Sequence, residues 1–176
     1  STYFIVRRMS NNIFILSAPI RSGKTTALME FWEESSTRFD GFITPDIDES
    51  RKLILLDTDE ELPFELDEAD EKNAIAIGKF FLSKSTFDLV KNKLQQLHKT
   101  PASLIIMDEL GKLEMDGKGF EPELGDFIQN FKGASSNKTL IIVIRNTLLA
   151  AAIEKFKLED AAILSLDLFI EKFLES

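Results

Sequence analysis

Gly23, Lys24 and Thr25 close a ten-residue stretch, "SAPIRSGKTT" (17–26), that follows an apolar run and opens a segment with helical apolar spacing. Those residue types at that spacing can hold a polyphosphate. The loop's backbone N–H groups and the positive end of the helix face the phosphates, and Gly23 permits close approach. Lys24 reaches the β and γ phosphates, and the Thr25 hydroxyl can ligate Mg²⁺. Ala18, Pro19, Ile20, Arg21, Ser22, Gly23, Lys24, Thr25 and Thr26 are therefore the candidate nucleotide-binding residues. The competing reading is a plain helix start, with Lys24 solvated and Thr25 or Thr26 near the cap. The loop is poor in glycine. Ala18 stands at the first position of the pattern, where alanine needs a negative φ, and Arg21 lies inside the turn.

A phosphate loop of this kind needs a second element to hold the metal. "LIIMDEL" (104–110) offers one, because an apolar strand delivers Asp108 and Glu109 at its carboxyl end, where ligands bind in open parallel sheets. Asp108 is the candidate Mg²⁺ partner alongside Thr25. Glu109, pointing elsewhere, is placed to orient or deprotonate an attacking water. Arg145 ends another apolar strand, "LIIVI", so its guanidinium can reach the γ phosphate; a solvated or carboxylate-paired side chain is the alternative, and Arg21 is the rival for the role. The candidate catalytic set is thus Lys24, Glu109 and Arg145. His98, the only histidine, falls near a helix end and reads as exposed or as a dipole contact. Trp32 reads as packing on the apolar face of its helix. With no cysteine and no histidine cluster, zinc is not expected.

The elements that must carry these residues alternate. "NNIFILSA" (11–18) reads as strand, "KTTALMEFWEES" (24–35) as helix, and "GFITPDI" (41–47) and "KLILLD" (52–57) as two strands joined by a polar turn. "NAIAIGKFFLS" looks extended, and residues 86–99 are an amphipathic helix closed by Pro101. The second half runs strand (103–108), helix (121–133), strand (139–144), helix (146–156), strand (161–166) and a last helix to Leu174. Strands this apolar are buried on both faces, which predicts a mostly parallel α/β sheet with helices on either side. Residues 1–10 form an extra extended arm suited to pairing with a sheet edge.

Three strings carry a resemblance: "GFITPDID", "GKFFLSKSTFDLV" and above all "IIMDELGKLEM" (105–115). From about Asn12 onward the chain resembles the thermophile-type nucleoside-triphosphatase family, P-loop proteins also called cancer-related NTPases. The resemblance implies a RecA-like sheet and magnesium-dependent hydrolysis of nucleoside triphosphates with broad base preference. By the same match Lys112 and Glu114 become candidates for the site rim, a surface ion pair being the alternative. The family's loop is usually richer in Gly and Pro than Ala18, Ile20 and Arg21 make this one.

Charge and composition bound the partners. The 176 residues suit a single domain, 1–176, with an acidic insert over 57–73 and a small β-rich insert. Net charge is −9, and residues 57–71 alone carry nine acids and no base, so the rest of the chain is neutral. That excludes a broad nucleic-acid footprint. The acidic run reads as a solvated loop, with a docking surface for a basic protein partner as the alternative. No apolar run reaches membrane-span length, no cysteine or signal pattern suggests export, and a cytoplasmic location is expected. Two other functions fit the same loop. A nucleotide or small-molecule kinase transfers the phosphate to an acceptor, though only Arg51 and Lys52 among acids offer a lid; a non-catalytic module senses the nucleotide for a partner.

Overall fold

The apolar run before the loop forms β1 (Ile13–Ala18), and the segment after Gly23 forms α1 (Lys24–Glu34). The computed structural model describes residues 12–67, 72–134 and 137–174; the expected arm at 1–10 and residues 68–71 of the acidic run lie outside them. β2 (Phe39–Ile43) follows, then β3 (Asp46–Ile47) and β4 (Ser50–Leu55). Asp48 and Glu49 join the last two with φ of 53° and 66°, the backbone that closes a two-residue hairpin with the right twist. Next come β5 (Glu61–Pro63), β6 (Glu65–Leu66), β7 (Ala74–Ile77), β8 (Phe80–Ser83) and α2 (Lys84–Gln96). The second half is β9 (Leu104–Met107), α3 (Lys112–Met115), α4 (Glu123–Gly133), β10 (Thr139–Arg145), α5 (Leu149–Phe156), β11 (Ala162–Leu164) and α6 (Leu166–Phe169).

Five strands pair in parallel in the order β11-β1-β10-β9-β2. Beyond β2 the sheet turns antiparallel through β4, which also pairs with β3 and β5. Along β10, Leu140, Ile142 and Ile144 enter one apolar layer while Ile141 and Val143 enter the other. The first layer is closed by α2, α4 and α5, the second by α1 and the carboxyl-terminal segment around Phe169. This is the mostly parallel α/β sheet with helices on both faces that the alternation predicts; β6, β8 and β7 form the small separate antiparallel sheet of the insert.

Three sequence expectations change and one short helix, α3, is new. Parts of the acidic run are strand rather than solvated loop, because Leu62 and Phe64, set two apart between Glu61, Pro63 and Glu65, pack inward, Phe64 lying 5.1 Å from Phe87. "GFITPDI" is broken after Ile43, with Asp46–Ile47 turning back in the hairpin. The one-turn α3 is too short to show a periodicity. The last helix is α6 followed by a π-helical turn, Ile170–Leu174.

Candidate active site

β1 and β9, the strands that carry the candidate loop and the candidate acids, are separated by β10 and end at the same edge of the sheet. Register pairs Ala18 with Arg145, so the phosphate loop and the arginine leave neighbouring strands side by side. Ala18 ends β1 and escapes the left-handed region, which falls instead on Arg21 (φ 58°) and Gly23 (φ 96°). Space around Gly23 is ample, so the backbone alone demands glycine there. The side chains of Pro19, Ile20 and Arg21 are exposed, as is Thr26 on the outer side of α1. Lys24, by contrast, is buried, and its ammonium donates to the carbonyls of Ala18 and Pro19, both at 2.9 Å. Burial lowers its pKa, against the attraction of Glu109 and Asp108.

Asp108 lies across from α1. The Thr25 hydroxyl donates to its Oδ2 at 2.9 Å and the Thr44 N–H at 3.2 Å, while its own N–H is held by the Phe42 carbonyl. Burial pushes this carboxyl up to about 6, the adjacent Glu109 adding to the rise and the Thr44 and Thr25 donors opposing it. Glu109 faces Arg145 Nη2 at 3.9 Å. Arg145 is therefore carboxylate-paired, and the carboxylate is the candidate water activator. His98 is exposed in a turn at the far end of α2, and Trp32 is half-buried against the second layer; both match the bland expectation.

The rim assignment for Lys112 and Glu114 does not hold together. Lys112 is exposed at the start of α3, whereas Glu114 is 3% exposed and accepts backbone N–H groups, so neither a shared rim nor an ion pair joins them. Sequence reasoning also undervalued Arg51. The β3–β4 hairpin runs past the carboxyl end of β2, with Asp46 opposite Arg51, and its guanidinium acts electrostatically on both Lys24 and Asp108. The signal was the reversal of "GFITPDIDESRK", which brings the start of β4 back over the edge where β2 ends.

Four buried side-chain polar atoms lack a hydrogen-bond partner among the described residues, and three of them, Ser17 Oγ, Ser22 Oγ and Arg145 Nε, belong to the loop and its flanking strand ends. Such groups are rare unless something else satisfies them. Among the described residues no group of three or more His, Cys, Asp and Glu gathers to hold a metal, so an ion between Thr25 and Asp108 would take its other ligands from phosphate and water. That is how Mg²⁺ is usually held.

A parallel sheet whose first strand feeds a Gly-Lys-Thr loop into a helix, with an acid-bearing strand two positions away, defines a P-loop nucleotide-binding protein of RecA-like fold. A family model described as NTPase matches residues 12–169, and the chain belongs to that family. Membership supports an enzyme that hydrolyses nucleoside triphosphates. Among solved structures, the chain is similar to THEP1 from the hyperthermophile Aquifex aeolicus, with 19% identity, a TM-score of 0.68, and 93% of this chain and 97% of that one covered. It is also similar to a human cancer-related nucleoside triphosphatase, with 18% identity, a TM-score of 0.60 and 88% of each chain covered. Nothing among curated proteins matches it. No helix of the described residues is long and apolar enough to cross a membrane.

Proposed function

We propose that the protein hydrolyses nucleoside triphosphates to the diphosphate and phosphate at the β1–α1 loop, with magnesium bound. The convergence of Lys24, the Thr25–Asp108 pair and the Glu109–Arg145 pair on one sheet edge, beside three unpartnered buried polar atoms, carries this reading. The loop amides and Lys24 hold the β and γ phosphates; Lys24 is already oriented across the loop by two of its carbonyls. Thr25 and Asp108 would hold Mg²⁺, which when bound offsets phosphate charge. Glu109 orients a water in line with the γ phosphorus and accepts its proton as the bond to the bridging oxygen breaks. Arg145, released from Glu109 by that proton transfer, and Arg51, from the hairpin, stabilise charge on the transferred phosphoryl.

The test is phosphate release from ATP, GTP, CTP and UTP with and without Mg²⁺, each repeated with an added nucleoside, nucleotide or sugar acceptor. Metal-dependent release with no acceptor is the expected result. Consumption that requires an acceptor would make the chain a kinase, and tight binding without consumption would make it a nucleotide-sensing module.

A further inference from the structure

Glu114 is a buried carboxylate that the proposed chemistry leaves unused. It is 3% exposed, yet it sits on α3, a single turn that ordinarily ends up wet. Its Oε1 accepts the Gly111 N–H at 2.9 Å, and its Oε2 accepts the Phe120 N–H at 3.0 Å. The first bond alone is one half of an ordinary helix-capping arrangement. The second is not, because it reaches six residues on and ties α3 to a segment rooted in the core. The Phe120 ring lies 4.7 Å from both Phe42 and Phe87, and Phe42 in turn accepts the Asp108 N–H. Gly119 is required beside this carboxylate: a Cβ there would fall inside the Glu114 carboxyl group.

The other end of the tie is the turn that carries Glu109. Leu110 donates its N–H to Val143 on β10 at 2.9 Å, and Gly111, the next residue, donates to Glu114. Glu109 is thus followed by two consecutive amides with fixed partners, one in the sheet and one on Glu114. The two side chains flank Gly111, since a Cβ there would stand 3.7 Å from Glu114 Oε1 and 3.9 Å from Glu109 Oε1. Lys155 closes the arrangement from α5 by donating to the carbonyls of Glu114 and Met115.

We propose that Glu114 is a positioning residue for Glu109: through the Gly111 and Phe120 amides it fixes the turn that aims the Glu109 carboxylate at the attacking water. The inference rests on the reading of Glu109 as water activator. A carboxyl group, ionised or neutral, offers an oxygen to each of the two amides, whereas the single carbonyl oxygen of glutamine leaves one of them without an acceptor. The Glu109 carboxylate then loses its fixed aim while the phosphate loop, on a different strand, keeps its shape. A small misplacement of a reacting group is enough to lower turnover strongly.

The experiment is a double-mutant cycle of Glu114→Gln and Glu109→Gln, reading kcat, KM and the affinity for a non-hydrolysable triphosphate analogue, with thermal unfolding to confirm that each variant is folded. Glu114→Gln is expected to lower kcat about 10-fold or more while KM and analogue affinity stay within about 3-fold, and to add no further loss in the Glu109→Gln background. Unchanged kcat, a loss confined to affinity, or the same fold loss in both backgrounds would overturn the proposal, the last marking a merely structural role. Full activity of Glu109→Gln would bring down the parent reading and this inference with it; loss in Glu109→Gln beside a normal Glu114→Gln would bring down this inference alone. If Glu114→Gln does not fold, Gly119→Ala, which displaces the carboxylate without removing it, takes its place in the same cycle.

Discussion

Replacing Glu114 by glutamine should change how stability depends on pH, by an amount that follows from where the carboxyl sits. Burial raises this carboxyl from its ordinary 4.5 to about 7, against the Gly111 and Phe120 amides that favour the charged form. The folded chain therefore favours the neutral acid and binds more protons than the unfolded chain between those two values. Stability is lost as pH rises through that window and not regained above it. At 1.36 kcal/mol per pH unit the whole window corresponds to about 3 kcal/mol, most of it between pH 5 and pH 8. Glutamine does not titrate, and it leaves one amide without its acceptor at a pH-independent cost of about 1–3 kcal/mol. Urea unfolding at pH 5, 6, 7 and 8, followed by the fluorescence of Trp32, the chain's only tryptophan, gives both curves. Other titrating groups, Asp108 included, are common to the two chains. The wild type should lose about 2 to 3 kcal/mol relative to Glu114→Gln between pH 5 and pH 8. A difference independent of pH, or one that grows in favour of the wild type as pH rises, would refute the burial argument.

Lys24→Ala should weaken triphosphate binding by at least about 10-fold in an analogue titration with no fall in unfolding temperature, because it removes a buried ammonium aimed across the loop. Arg51→Ala should lower kcat/KM while leaving the Thr25–Asp108 pair intact, and the loss should shrink as salt is added, since the Arg51 side chain is 38% exposed and acts on Asp108 through its charge. Gly41→Ala should destabilise the fold by about 3 kcal/mol or more in urea unfolding, because φ is 94° there and a Cβ would overlap the Ile106 carbonyl across β2 and β9.

The sheet and its helices were legible because residues buried on both faces write themselves as unbroken apolar runs: "LIIM" and "LIIVI" are β9 and the body of β10. The loop was legible because Gly23, Lys24 and Thr25 are adjacent in the chain, and their relation to Asp108 followed from strand alternation. What the sequence hid depends on distant segments meeting. Glu114 looks like a surface residue in a charged string, and only the return of the chain at Phe120 buries it. Arg51 looks like a loop cation among acids until the β3–β4 hairpin folds back over the edge of β2. The strands within the acidic run were hidden by charge, although Leu62 and Phe64 keep the two-residue period beneath it.

The most direct test compares wild type with Glu109→Gln in two measurements on the same preparations: affinity for a non-hydrolysable triphosphate analogue with Mg²⁺, and single-turnover phosphate release. Equal affinity, with release slowed about 10²-fold or more in the variant, is the outcome expected of a carboxylate that activates water and does not hold the nucleotide. Equal release rates in the two proteins would contradict the account, because the hydrolytic step would then owe nothing to the residue set opposite Arg145 at the end of β9.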